Sequence, residues 1–158
     1  MKSQNFTRSR ILLLILAVTC FLGAGFAKAA ELAWKTDFAQ ASAQAGQQHK
    51  YMLLDFTGSD WCPWCVKMDK EVFNQPQFSD FAGKNLVLVK LDFPRRAAQS
   101  AAEKSQNEGL AKKYGIEGFP TYILLDPKGN EVRRQVGYLE GGPDTFIDWM
   151  AIAGKTQG

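Results

Sequence analysis

Cys62 and Cys65 are the side chains whose types and spacing best suit chemistry, in the motif Trp-Cys-Pro-Trp-Cys at residues 61–65. A disulfide between them would close a very short loop. Because the stability gained from a crosslink grows with loop length, such a bridge is a poor structural staple. On the first turn of a helix, residues i and i+3 share one face, so both sulfurs can meet. The spacing therefore indicates a redox pair.

The two cysteines are expected to have different tasks. A thiol at a helix N-terminus meets unpaired amides and the helix dipole, so the pKa of Cys62 should lie below the free value of about 8.5. Cys65, one turn further and more buried, is suited to resolving a mixed disulfide. Pro63 is tolerated at the first helical position, where the missing N–H costs little. Trp61 and Trp64 are candidates for an apolar rim that binds substrate, with Trp64 the more exposed.

A metal site is not favoured by the sequence. Zinc needs four ligands, and outside the pair the chain offers only Cys20 and a single histidine, His49. We therefore predict neither metal nor cofactor. Two alternatives to an enzyme stay open, a copper chaperone and a non-catalytic module that binds clients.

Residues 1–29 have the order of a secretory signal peptide. Basic residues come first, an uncharged run covers residues 11–27, and Ala-Lys-Ala at 27–29 fits a cleavage site. An uncleaved membrane anchor is the weaker alternative, because the run is short for spanning a bilayer. We predict a periplasmic or otherwise exported protein, with one domain over residues 30–158.

Removing the signal reverses the charge balance. Residues 1–29 contain four of the 19 basic residues and no acid, which leaves 15 basic and 16 acidic residues, a net charge of −1. The basic character of the full chain thus gives no reason to expect nucleic-acid binding.

Periodicity and turn residues place the pair between a strand and a helix. Helices are predicted at 36–48, from residue 62 to about 73, over a segment that ends at residue 114, and at 144–152. A further short helix is possible at 76–81, and strands are predicted at 51–56, 86–91, 122–125 and 131–136. This order indicates an α/β fold, a mixed sheet of four to five strands with helices on both faces.

From about residue 34 to 153 the chain resembles the thioredoxin superfamily, in particular its exported single-domain bacterial members. The resemblance is carried by Leu-Asp-Phe at 54–56 before the cysteine motif, by Lys90 in Val-Lys-Leu-Asp, and by Tyr-Gly-Ile-Glu-Gly-Phe-Pro-Thr at 114–121. The last segment is similar to the family's cis-proline loop.

The resemblance implies roles for four further residues. Pro120 would be cis and lie against the disulfide, with the backbone around Phe119 pairing with a substrate strand. Asp55 would be the buried acid that relays a proton to or from the second cysteine, and Lys90 its basic partner on the next strand. The segment between Asp55 and Cys62 has one residue more than in ordinary thioredoxin.

Together these features predict a thiol–disulfide oxidoreductase that reduces protein disulfides in the periplasm, with a periplasmic disulfide oxidase as the alternative. The expected partners are protein disulfides or dithiols and a membrane thiol relay that donates electrons. A monomer is expected, because no dimerisation domain is evident.

Overall fold

The computed structural model describes residues 32–150, which form one sheet with helices on both sides. The predicted signal peptide at 1–29 and the predicted end of the last helix lie outside the described residues. Within 32–150, none of the helices is both long and apolar enough to cross a bilayer.

The order of elements follows the sequence prediction closely. Five helices are present between residues 32 and 150: α1 (Phe38–Gln48), α2 (Pro63–Met68), α3 (Pro76–Asn85), α4 (Ala101–Tyr114) and α5 (Gly142–Met150). The four strands are β1 (Tyr51–Thr57), β2 (Leu86–Asp92), β3 (Thr121–Leu125) and β4 (Glu131–Val136). A π-helical turn, Asp69–Phe73, continues α2.

The sheet has the strand order β2-β1-β3-β4. β1 is parallel to β2 and antiparallel to β3, and β3 and β4 form an antiparallel hairpin. An isolated parallel bridge from Lys35 to Val89 adds the beginning of a further strand at the β2 edge. The predicted mixed α/β sheet with helices on both faces is confirmed.

Each face of the sheet has its own apolar core, because alternate residues of β1 point to opposite sides. Leu53, on one face, belongs to a cluster with residues of α2, the π turn, α3 and α5. Leu54, on the other, belongs to a cluster with residues of α1 and α4. By the same alternation Asp55 shares the face of Leu53, which is the face that α2 covers.

Helix boundaries differ from the prediction by a few residues. α1 is capped by the Asp37 side chain, which accepts the backbone N–H of Gln40, so the helix begins two residues after the predicted start at residue 36. An aspartate caps a helix well, because its carboxylate satisfies an unpaired N–H of the first turn. Gly115 ends α4 with φ of 60°, as predicted.

The π turn was not predicted. The backbone N–H of Asn74 donates to the Asp69 carbonyl at 2.8 Å, a wider ring than an α-helix forms. Val72 and Phe73 are both buried in the core cluster on this face. A single wide turn therefore directs two consecutive apolar side chains into the core.

Candidate active site

Cys62 and Cys65 form a disulfide at the start of α2, with their Cα atoms 5.3 Å apart. Cys62 is the N-cap of the helix, and its sulfur accepts the backbone N–H of Cys65 at 3.2 Å. Pro63 occupies the first helical position. The sulfur of Cys62 thus lies where the amide donors and the helix dipole favour a negative charge.

The two cysteines do not differ in burial in this oxidised state. The exposed fraction is 3% for Cys62 and 2% for Cys65, so a difference in burial between the two thiols stays a prediction for the reduced protein. A closed disulfide holds both sulfurs in one place, so they share one environment.

The loop before β3 contains a cis peptide bond between Phe119 and Pro120, the isomer expected from the sequence. Pro120 is buried, and its carbonyl accepts the backbone N–H of Gly137 at 2.8 Å. The Thr121 hydroxyl donates to the Gly118 carbonyl at 2.8 Å. The cis-proline loop is therefore anchored on both sides of the bend.

Asp55 is an isolated acid in the apolar interior. Its exposed fraction is 1%, and its Oδ1 atom has no hydrogen-bond partner among the described residues. Burial raises the pKa of Asp55 from 3.8 to about 8, while the positive charge of Lys90 lowers it and the negative charges of Asp69 and Asp92 raise it. A carboxyl group with such a pKa can gain or lose a proton near neutral pH.

Lys90 is the register partner of Asp55 on β2, as the sequence suggested, but its ion pair is with another residue. The Lys90 Nζ lies 3.4 Å from Oδ1 of Asp69 and 5.4 Å from the ring centroid of Trp34. The register thus makes Lys90 the expected basic neighbour of Asp55, whereas its ammonium group forms its ion pair with Asp69. Asp69 on the π turn, which the sequence analysis did not single out, takes the ammonium group because it projects from the helical layer over β2.

Asp69 also indicates where Asp55 lies relative to the disulfide. Cys65, Met68 and Asp69 share one helix face by their i, i+3, i+4 spacing. Met68 packs in the cluster that contains Leu53, two residues before Asp55. Asp55, Lys90 and Asp69 thus lie on the side of the sheet that faces Cys65.

The segment between Asp55 and Cys62 connects the site to the loop after β2 through hydrogen bonds of Ser59 and Asp60. The Asp60 carboxylate accepts the backbone N–H groups of Arg95, Arg96 and Ala97 at 2.9, 2.7 and 3.0 Å. These bonds, first that from Arg95, lower the pKa of Asp60. The Ser59 backbone N–H donates to the Asp92 side chain at 2.9 Å. Ser59 and Asp60 therefore form a clamp on the loop after β2, which the sequence analysis missed because their partners lie 33 to 37 residues away.

Trp61 is half-buried and packs within this clamp. Its Nε1 donates to the Phe93 carbonyl at 2.8 Å, its ring meets Phe119 edge-on at 5.7 Å, and the Arg95 guanidinium lies 3.8 Å from the ring centroid. Phe119 in turn meets the Phe93 ring at 5.0 Å. The rings of Trp61, Phe119 and Phe93 thus form a row that joins the cysteine motif to the cis-proline loop. A role of Trp61 in substrate binding stays a prediction.

Trp64 is the exposed tryptophan of the motif, as predicted. Its exposed fraction is 53%, and its ring lies 5.6 Å from that of Tyr138. The Lys67 ammonium lies 4.4 Å from the Tyr138 ring centroid, and the Tyr138 hydroxyl donates to Glu71. Trp64 and Tyr138 therefore form an aromatic shelf that begins between the two cysteines. No local pattern indicated Tyr138, which comes from the loop after β4.

Among residues 32–150, no group of three or more His, Cys, Asp and Glu side chains could hold a metal ion. His49 is exposed, with φ of 52°, and ends α1. It lies on the connection to β1, at the end of that strand opposite to the cysteine motif.

Comparison with known proteins agrees with this site. The family described as "Thioredoxin-like domain" matches residues 38–153. The chain is 36% identical over 127 residues to "Disulfide bond reductase DsbH" of Chlamydia pneumoniae, covering 80% of this chain and 75% of that protein. It is 25% identical over 108 residues to "Thiol:disulfide interchange protein DsbD" of Haemophilus influenzae, covering 67% of this chain and 17% of that protein.

A solved structure, "DsbH Oxidoreductase", superposes with a TM-score of 0.74 at 34% identity, covering 81% of this chain and 88% of that one. The cysteine pair at a helix N-terminus, the cis-proline loop and these matches lead to one conclusion. The chain belongs to the thioredoxin-like family and is a thiol–disulfide oxidoreductase.

Proposed function

We propose that this oxidoreductase reduces protein disulfides outside the cytoplasm, using Cys62 as the attacking thiol and Cys65 as the resolving thiol. The observation that carries the proposal is the bond from the Cys65 backbone N–H to the Cys62 sulfur at the N-terminus of α2. The same donor stabilises a thiolate when the disulfide is open.

The reaction is a two-step exchange of sulfur bonds. The Cys62 thiolate attacks a client disulfide, the client S–S bond breaks, and one client sulfur leaves as a thiolate. Cys65 then loses its proton and attacks the Cys62 sulfur, which releases the second client thiol. Two electrons pass to the client, and the Cys62–Cys65 disulfide described above is the oxidised product.

Asp55 is the base that we assign to the second step. Cys65 must lose a proton in the interior, where water cannot readily take it. Asp55 lies on the sheet face toward Cys65, and its pKa of about 8 allows it to accept that proton and release it near neutral pH. Lys90 and Asp69 set the charge around it.

Similarity to a protein named as a reductase supports electron flow from this protein to its client. The similar Chlamydia protein is named a disulfide bond reductase, and the matched region covers three quarters of that protein. The signal-like order of residues 1–29 supports export to the periplasm. A reductase there needs a donor of electrons, and we assign this role to a membrane thiol relay. The partners are protein disulfides, and the protein acts as a monomer.

The client binds across the cysteine motif. The exposed ring of Trp64 offers apolar contact area next to the disulfide. The backbone at Phe119, before the cis bond, offers hydrogen bonds to an extended client segment. Trp61 and Pro63 complete the rim at the motif itself.

The proposal is tested by the equilibrium of the protein with glutathione. We expect a reduction potential near that of thioredoxin, about −270 mV, whereas a value near about −120 mV would identify an oxidase. The matched assay is the reduction of a model protein disulfide by wild type and by Cys62→Ser. Turnover that survives in Cys62→Ser, or copper binding without any exchange activity, would refute the proposed function.

A further inference from the structure

Tyr122 and Asp55 are direct cross-strand partners in the antiparallel pairing of β1 and β3. Both residues belong to the face of the sheet that α2 covers, because Tyr122 and Leu53 share one core cluster. Directly opposed residues have Cβ atoms about 4.5–5.5 Å apart. The phenol ring of Tyr122 therefore runs beside the Asp55 carboxyl group.

Both side chains contain a buried polar atom without a partner. The exposed fraction of Tyr122 is 0% and that of Asp55 is 1%. The Tyr122 hydroxyl and the Asp55 Oδ1 atom have no hydrogen-bond partner among the described residues. The two atoms therefore do not bond to each other directly. Since buried polar groups in folded proteins are almost always hydrogen-bonded, one water molecule between these paired residues would satisfy both.

When Asp55 is ionised, the chemistry of the two groups allows only one direction of hydrogen bonding, from Tyr122 to Asp55. Burial and the charge of Asp55 raise the pKa of Tyr122 far above its usual value, so its hydroxyl keeps its proton. An ionised carboxyl group can only accept. The ring centroids of Phe73 and Phe146 lie 5.5 and 5.1 Å from that of Tyr122, so the tyrosine packs among apolar rings, where a hydroxyl without a partner is costly.

We infer that Tyr122 is a positioning residue of the redox centre, whose hydroxyl donates to the ionised Asp55 carboxyl through one buried water. The inference rests on the proposed role of Asp55 as the base for Cys65. A donated hydrogen bond stabilises the charged form of an acid. Tyr122 therefore keeps enough of Asp55 ionised near neutral pH for the second step to proceed.

The charged groups that face Asp55 come from each element packed against it. Lys90 and Asp92 belong to β2, and Asp69 belongs to the π turn. Lys90 favours the ionised form, and the two acids disfavour it. Tyr122 is the neutral donor from β3, so its removal changes neither the charge nor the volume of the site appreciably.

The test compares Tyr122→Phe with Tyr114→Phe. Tyr114 is the matched control, because its hydroxyl is also buried without a partner, but it packs against the core cluster on the other face of the sheet. In the oxidised protein, carbon-detected NMR follows the titration of the Asp55 carboxyl carbon. We expect its pKa to rise by about one unit in Tyr122→Phe and to stay unchanged in Tyr114→Phe.

A second measurement separates a positioning role from a packing role. The pH profile of turnover should move to higher pH in Tyr122→Phe and keep its shape in Tyr114→Phe. A Tyr122→Phe protein with the wild-type Asp55 titration and pH profile would overturn the inference. Because the titration is measured on oxidised protein without a client, its result does not depend on whether the protein reduces disulfides in the cell.

The hydroxyl proton of Tyr122 provides a measurement that needs no variant. A hydroxyl proton held in a buried hydrogen bond exchanges slowly with solvent, so a resolved NMR signal from this proton that shifts with the Asp55 titration is expected. A signal that is insensitive to that titration would count against the pair.

Discussion

Lys90 holds its ammonium group 3.4 Å from the carboxylate of Asp69, although the strand register places it beside Asp55. The strongest positive charge near the buried acid is thus shared with a competing acid. Asp55 keeps a pKa of about 8 because burial outweighs the attraction of Lys90, and Asp69 adds a further negative charge. The π turn that presents Asp69 therefore takes part in setting the proton affinity of the site.

Replacing Asp69 should make Asp55 a stronger acid. In Asp69→Asn a negative charge that raises the pKa of Asp55 is lost, and Lys90 is free to turn toward Asp55. We expect the pKa of Asp55 to fall by about one unit or more, as carboxylates do beside an unshared cation. NMR titration of the Asp55 carboxyl group measures the change.

The control is the opposite substitution, Lys90→Gln, which removes the cation and should raise the pKa of Asp55. If both variants moved the pKa in the same direction, the ion pair would not control the acid.

Replacing Asp55 by Asn should remove a pH dependence of stability. The folded-state pKa of about 8 exceeds the unfolded value of 3.8, so the folded protein holds a proton that the unfolded chain releases. The contribution of Asp55 is full below about pH 4 and is lost as the pH rises to about 8. Over that window the loss is about 6 kcal/mol at most, since one pKa unit is worth about 1.4 kcal/mol.

Denaturant unfolding of the oxidised wild type and of Asp55→Asn measures this effect. The difference in the free energy of unfolding should favour Asp55→Asn increasingly from pH 5 to about pH 8 and change little above it. Parallel curves for the two proteins would show that Asp55 is not protonated in the folded state.

Much of the fold was predictable because its signals are local. Apolar runs gave β1 and β2, and Gly115 gave the end of α4. The π turn was not predictable, since it depends on how Val72 and Phe73 pack against the sheet. The role of Asp69 was missed as well, because a charged residue on a helix is ordinarily solvated and only the tertiary structure shows its ion pair.

Within the site, the motif followed from residue types and spacing and the cis bond from the resemblance to the thioredoxin superfamily, but the partners followed from neither. Lys90 and Asp55 were correctly expected on adjacent strands, yet the ammonium group bonds to a residue from the helical layer. Tyr122 was predicted only as the first residue of a strand, because only the register with β1 shows that it is the cross-strand partner of Asp55. Contacts between distant segments carry the information that local patterns lack.

The thiol of Cys62 should titrate well below that of free cysteine. In reduced protein the Cys65 backbone N–H and the N-terminus of α2 are available to a thiolate at position 62. We expect a pKa at least one unit below about 8.5, measured by the ultraviolet absorbance of the thiolate in Cys65→Ser. An ordinary value would remove the physical basis for the attacking role.

Substituting the cysteines one at a time should separate the two steps. Cys65→Ser can attack a client disulfide but cannot resolve the product, so it should accumulate a mixed disulfide that mass spectrometry detects. Cys62→Ser should form none and lose turnover. A mixed disulfide that forms equally through either cysteine would contradict the assignment of roles.

Gly58 should tolerate no side chain, because Trp61 occupies the space. A Cβ atom at position 58 would lie 2.5 Å from Cε2 and 2.7 Å from Nε1 of Trp61. The indole would have to move, which would break its bond to the Phe93 carbonyl and its contact with Phe119. We expect Gly58→Ala to destabilise the protein by about 1–3 kcal/mol, as overpacking does, and to slow client reduction.

The matched control is Gly109→Ala on the exposed surface of α4, where an added Cβ meets nothing within 4 Å. Since alanine favours a helix over glycine, Gly109→Ala should be neutral or up to about 1 kcal/mol more stable. Denaturant unfolding and the fluorescence of Trp61 compare the two variants. If Gly58→Ala retained wild-type stability and fluorescence, Trp61 would not be fixed against the loop, and the aromatic row to Phe119 would not position the cysteine motif.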